Sequence, residues 1–196
     1  MTPDGRGLYY ISTRTLDGDV KEDFDIWYVE RDAEGVWGTP TRLPWPVNST
    51  GSELLPRLGS NGELIFGSDR PGGLGGQDIY MAHKSVDNRW TIRNLGTPIN
   101  SAANDYEADM TSDGDHMVVV SDRGGRSHLH LFHLEDQVWL ADGLVPARED
   151  VFQVGPLFSP LGDKLLFSQA NADQSGEIFL SVLNPSSHES WPPNCQ

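Results

Sequence analysis

A glycine-centred turn recurs four times along this chain, and that recurrence limits the possible folds more than any other feature. The copies are Pro3-Asp4-Gly5-Arg6, Ser60-Asn61-Gly62-Glu63, Ser112-Asp113-Gly114-Asp115 and Pro160-Leu161-Gly162-Asp163, with their glycines 57, 52 and 48 residues apart. Each turn leads at once into an apolar run: Leu8-Tyr9-Tyr10-Ile11, Leu64-Ile65-Phe66, Met117-Val118-Val119-Val120 and Leu165-Leu166-Phe167. Turns and short strands returning about every 50 residues are the signature of a propeller or a related repeat array.

The second repeat is the most complete. Leu54 to Leu58 reads as a short strand, and Asn61-Gly62 supplies the positive φ of a tight hairpin. Glu63 to Ser68 is too short for a helix and apolar enough for burial on both faces. The loop Pro71-Gly72-Gly73-Leu74-Gly75-Gly76 leads into Asp78-Ile79-Tyr80-Met81-Ala82, and Trp90 opens a fourth strand. Four antiparallel strands in one repeat make a propeller blade.

The other repeats carry the same marks. The third-strand motif returns as Asp25-Ile26-Trp27-Tyr28-Val29, His128-Leu129-His130-Leu131-Phe132 and Glu177-Ile178-Phe179-Leu180-Ser181. Tryptophans 37, 90, 139 and 191 lie 32, 28, 25 and 29 residues after their glycines. The connector Leu43-Pro44-Trp45-Pro46-Val47-Asn48-Ser49 is repeated as Leu95-Gly96-Thr97-Pro98-Ile99-Asn100-Ser101. The expected fold is an all-β propeller of about four four-stranded blades in one domain, with repeats near 1–52, 53–104, 105–153 and 154–196. Burial between blades is expected for Ile11, Phe66, Val119 and Phe167. Both ends fall inside a blade, so the chain reads as part of a larger propeller, with edges at which it could self-associate, the alternative being a self-contained four-bladed ring or open array.

The run Phe66-Gly67-Ser68-Asp69-Arg70-Pro71-Gly72-Gly73-Leu74-Gly75-Gly76-Gln77-Asp78-Ile79-Tyr80 resembles the signature of the WD-repeat-like propeller modules of the TolB type. The likeness covers essentially the whole chain and is weakest in the fourth repeat, where Leu161 and Ala170 replace the preferred Asp and Arg. In bacterial envelope proteins such modules are often joined to an OmpA-like peptidoglycan-binding domain. The resemblance therefore implies a periplasmic or envelope location and binding of protein or glycan. No OmpA-like segment is present in this sequence, so a peptidoglycan role does not carry over.

Composition narrows the partners. With 14 Lys and Arg against 29 Asp and Glu, the formal charge is −15, which disfavours nucleic acid and anionic lipid. No stretch approaches the roughly 18 consecutive apolar residues of a membrane span. The sequence from Met1 has neither the basic region nor the apolar core of a signal peptide. The single cysteine, Cys195, allows no internal disulfide.

Chemically suggestive residues are few. Asp17 and Asp19 begin an acidic stretch that could offer oxygens to calcium, but it lacks EF-hand spacing and contains Lys21. His128 and His130 alternate onto one strand face and would need a third ligand from elsewhere to hold a metal. His130 also stands where the second repeat has an aromatic, which favours packing. Arg14, Arg70 and Arg123 share one repeat position, and the expected pairs are Arg14 with Asp25 and Arg70 with Asp78. Serines 12, 68, 121 and 168 share another. The loop from Arg70 to Gln77 has no P-loop Lys-Ser/Thr, and no G-x-S-x-G elbow occurs. No cofactor is expected.

Two readings of function remain. One is a non-enzymatic scaffold binding protein or glycan through the loops that vary between blades. These are Thr15 to Phe24 with Asp17 and Asp19, Pro71 to Gln77 with Gly72, Gly73, Gly75 and Gly76 and the adjoining Arg70, and Asn171 to Gly176 with Asp173. The alternative is part of a propeller enzyme, such as a glycan hydrolase or lyase, or the propeller domain of a serine peptidase. For that, Arg57, Glu107 and Asp109 are the polar residues that break the repeat, the two carboxylates being the acid/base candidates. Far-ultraviolet circular dichroism should show less than about a fifth helix, against roughly a third in ordinary domains.

Overall fold

The computed structural model describes residues 1–59, 61–148, 150–171 and 174–183, so Asp173, Trp191 and Cys195 lie outside the described residues. Fourteen strands form four antiparallel sheets in chain order. The first holds β1 (Gly7–Arg14), β2 (Val20–Glu30) and β3 (Thr41–Arg42). The second holds β4 (Glu53–Leu58), β5 (Leu64–Ser68), β6 (Asp78–Lys84) and β7 (Trp90–Asn94). The third holds β8 (Asp105–Met110), β9 (His116–Ser121), β10 (His128–Glu135) and β11 (Val138–Leu144). The fourth holds β12 (Phe152–Phe158), β13 (Lys164–Asn171) and β14 (Gln174–Val182). Among the described residues there is no helix.

Each sheet is a meander of hairpins. The turn glycines Gly5, Gly62, Gly114 and Gly162 have φ between 68° and 83°, the left-handed region that a hairpin demands and that glycine adopts without strain. Strands packed on both sides lose the polar–apolar alternation of a surface strand: all five residues of β5 are buried. Three apolar layers lie between consecutive sheets. The first contains Ile26, Leu64, Phe66 and Tyr80, the second Ile65, Ile79, Met117 and Phe132, the third Val118, Val120, Leu129 and Phe167. Strand packing joins only consecutive sheets among the described residues.

Phe66, Val119 and Phe167 are 1%, 0% and 4% exposed, as the repeat predicts, while Ile11 is only half-buried at the first sheet. The described tryptophans hold equivalent register positions: Trp37 pairs with Arg31, Trp90 with Lys84 and Trp139 with Leu134. Arg31 and Lys84 each lie over the ring of their tryptophan, at 5.7 and 5.8 Å.

The fourth sheet departs from the sequence register by one residue. Glu177 pairs with Gln169, and Ser168 pairs with Ile178, whereas Asp78 pairs with Ser68 and His128 with Ser121. Gln169 therefore takes the serine position, and Ala170 follows it directly, whereas Arg70 stands two residues after Ser68. The expectation that Ser168 and Ala170 fill these places is corrected.

The glycine-rich loop between β5 and β6 packs on the connector to the next blade. A Cβ on Gly75 would collide with the Ala103 carbonyl, and Gly76 donates its N–H to that same oxygen at 3.1 Å. Gly75→Ala should therefore lower stability by about 1–3 kcal/mol, the range for overpacking. A lower urea midpoint with an unchanged far-ultraviolet spectrum is the expected outcome.

Candidate functional site

The side chains with the most polar contacts lie where one blade meets the next. Arg70 follows the end of β5 and turns back toward the preceding connector. Its guanidinium donates to the Pro46 carbonyl at 2.8 Å, the Val47 carbonyl, Ser68 Oγ at 2.9 Å and Glu53 Oε1 at 3.0 Å. Its plane covers Tyr80 at 4.7 Å and Phe66 at 5.4 Å. Arg123 repeats this set on the Pro98 and Ile99 carbonyls, Ser121 Oγ and Asp105 Oδ1. In both connectors the peptide before the proline, Trp45-Pro46 or Thr97-Pro98, is cis. Asparagine completes the joint. Ile26 N–H donates to Asn48 Oδ1 and Ile79 N–H to Asn100 Oδ1, both at 2.7 Å, and each amide donates back to the same residue's carbonyl at 2.9 Å.

These contacts overturn the expected pairing of Arg14 with Asp25 and of Arg70 with Asp78. Asp78 is consumed locally: it accepts from Leu74 and Gly75 N–H and from Asn94 Nδ2, at 2.6, 3.0 and 2.6 Å. Asp25 is held by Arg42 at 2.6 and 2.7 Å and by Lys21. The true partners, Glu53 and Asp105, lie on the first strand of their own blades. Their signal in the sequence is a shared spacing, since Ser49 and Ser101 each precede the acid by four residues and hydrogen-bond to it. Burial pushes the Glu53 carboxyl above its usual range despite Ser49 and Arg70.

Arg57, Glu107 and Asp109 come together on the inner strands. The register shift in β4 falls just before Arg57, and that in β8 just before Glu107, so both bulges re-aim the side chain that follows. Arg57 Nη2 lies 3.5 Å from Glu107 Oε1. Glu107 Oε2 accepts Gly155 N–H at 2.8 Å, and Asp109 Oδ2 accepts Phe158 N–H at 2.7 Å. Each carboxylate thus fastens the third blade to β12 of the fourth. Burial raises both carboxyls, Asp109 to about 6.

The remaining sequence candidates are placed as follows. Asp17 and Asp19 are exposed on the β1–β2 hairpin, closed by Thr15 N–H to the Asp19 carbonyl at 2.7 Å. Gly72, Gly73 and Gly76 are exposed, with Gly73 against the Asp78 carboxylate. His130 takes the register place of Tyr80, and burial followed by the charge of Arg123 lowers its imidazole to about 4. A neutral imidazole beside Arg123 suits packing at neutral pH. His133 pairs with Asp142 at 2.6 Å. Among the described residues no three His, Cys, Asp or Glu side chains are grouped to hold a metal.

No protein-family model matches the chain, and no curated protein sequence matches it. Solved structures do. TolB from Acinetobacter baumannii superposes with a TM-score of 0.58 at 16% identity, over 92% of this chain and 39% of that one. A protein assigned as TolB from Agrobacterium tumefaciens gives 0.64 at 17%, over 93% and 59%. The periplasmic gluconolactonase of Pseudomonas aeruginosa gives 0.54 at 12%, over 96% and 57%. The chain thus spans 39 to 59% of the length of these structures, and identities this low show the fold alone. That fold is the TolB-like propeller.

The Asp109 shift has a pH consequence. A carboxyl raised from 3.8 to about 6 binds its proton more tightly in the folded state. Its stabilising protonation is complete below about pH 4 and lost as pH rises through about 6, a cost near 3 kcal/mol at about 1.4 kcal/mol per unit. Asp109→Asn keeps an oxygen for Phe158 N–H and removes the charge. It should raise the urea midpoint at pH 7.5, by about 1–3 kcal/mol in stability, and leave it unchanged near pH 4.

Proposed function

We propose that this chain is a non-enzymatic binding scaffold of the cell envelope, with a protein or glycan as partner. The observation that carries the reading is the use of its polar groups: Arg70 and Arg123, held by Glu53 and Asp105, tie their blades to the connectors before them, and Glu107 and Asp109 tie the third blade to the fourth. Among the described residues this leaves no convergent nucleophile, base and oxyanion donor of the kind a hydrolase needs. Recognition falls instead to loops that differ between blades, where Leu16 and Leu74 are 78% and 51% exposed. The periplasmic location of the structurally similar gluconolactonase supports an envelope setting.

One observation favours the enzymatic alternative. A carboxyl titrating near 6, beside a second carboxylate and an arginine on inner strands, is a recognised setting for acid/base chemistry. Two assays on one preparation separate the readings: a hydrolysis screen with glycan, lactone and peptide substrates, and capture from envelope extract. The scaffold reading expects no turnover, and capture that falls at least tenfold on Leu16→Ser with Leu74→Ser. Turnover abolished by Glu107→Gln while the melting temperature held would show an enzyme instead.

A further inference from the structure

Trp45 precedes Pro46 in the connector from β3 to β4 and is 74% exposed, where the next connector has Thr97. Thr97 is exposed too, although blades stand on both sides of it. Exposure at this position therefore belongs to the loop end of the blades, and not to an edge where a further blade would pack. The backbone around Trp45 is held in place. Asn48 Nδ2 donates to the Leu43 carbonyl at 2.8 Å, and the Pro46 carbonyl accepts from Arg70 at 2.8 Å. An aromatic ring on a fixed backbone loses little conformational freedom when a partner covers it.

The groups around Trp45 favour positive charge. Leu43 N–H donates to the Ile26 carbonyl at 3.0 Å, and two residues beyond that pair stand Trp45 and Phe24, the latter 38% exposed. Phe24 N–H donates to Ser52 Oγ at 3.2 Å, and Ser52 N–H donates to Asp69 Oδ1 at 2.7 Å, which brings the exposed Asp69 alongside. Glu22, two residues before Phe24 in β2, is exposed as well. The bases nearby are already used: Lys21 by Asp23 and Asp25, Arg42 by Asp25, and Arg70 by Glu53. Among the described residues Glu22 and Asp69 have no ion-pair partner. An indole face attracts cations through its quadrupole, and two free carboxylates beside it act in the same sense.

We propose that Trp45, Phe24, Glu22 and Asp69 form a docking surface for a basic, extended segment of a partner protein. An arginine or lysine of the segment lies over the Trp45 indole, and its neighbouring bases pair with Glu22 and Asp69. Tryptophan is among the residues that most often carry the binding energy of an interface. A neutral glycan would also stack on an indole, but it would leave both carboxylates unpaired. The net charge of −15 steers a cationic partner toward the chain and makes a second copy repulsive.

This inference rests on the binding-scaffold reading and names the chemistry of its partner. The test titrates the full chain calorimetrically with hexa-arginine, and with chitohexaose as a neutral glycan. Saturable binding of hexa-arginine is expected, weakened at least tenfold by Trp45→Thr and kept within about threefold by Trp45→Phe, which retains an aromatic face. Trp45→Thr reproduces the next connector at an exposed position, so the melting temperature should hold. Glu22→Gln with Asp69→Asn should weaken binding at least fivefold. Asp115→Asn with Asp136→Asn, an equal charge change in turns at the opposite end of the blades, should leave it unchanged. Three results would overturn the site: no binding of hexa-arginine at millimolar concentration, equal losses from the two charge pairs, or chitohexaose binding that alone depends on Trp45. Capture through Leu16 and Leu74 is measured separately, so loss of this site leaves the scaffold reading standing.

Discussion

A buried arginine held between two blades is the interaction on which this structure depends. Arg70 is 8% exposed and ties the connector from the first sheet, the end of β5 and the start of β4 to a single cation. Apolar layers supply most of the stabilisation, at about 1.5–3 kcal/mol for each fully buried Leu, Ile or Phe. Apolar contact alone does not fix how one blade is placed on the next. The guanidinium fork and the asparagine amide do so by direction, because each donor and acceptor has one geometry that satisfies it. Since among the described residues blades touch only their neighbours, the array behaves as a sum of blade and interface contributions, as in other repeat proteins.

The fourth blade shows what happens when that joint changes. Gln153 replaces the acid and accepts Leu129 N–H at 3.3 Å, the task Asn48 and Asn100 perform earlier in the chain. Gln169 stands for the serine, and no arginine follows it in the sequence up to Gln174. Charge disappears from both sides together, which avoids the cost of leaving one ion buried without its partner. The inner-strand carboxylates Glu107 and Asp109 then carry part of the fastening, through backbone N–H groups of β12.

Much of this fold is legible in the sequence because hairpin turns and both-face burial are local. Gly62 with Leu64 to Phe66 reveals its strand without any knowledge of the other blades. The partner of Arg70 is not local. Asp78 stands closer in the chain than Glu53, yet its carboxylate is drawn into the adjoining loop by two backbone N–H groups, which a charge pattern does not display. The fourth-blade register was hidden for a similar reason. Ser168 matches the serine spacing, whereas the pleat that sets Phe167 against the third blade puts Gln169 in its place. The meeting of Arg57 with Glu107 is equally invisible, since a bulge in each strand decides where the side chains point.

A double-mutant cycle on Arg70 and Glu53 tests the interblade joint most directly. Arg70→Gln and Glu53→Gln are measured singly and together by urea denaturation. Each single change leaves a buried charge without its partner and should cost about 3–5 kcal/mol. The double variant reproduces the uncharged chemistry of the fourth blade, so its loss should fall short of the sum by at least about 2 kcal/mol. Losses that add within about 0.5 kcal/mol would contradict the account and leave apolar packing alone as what places the blades.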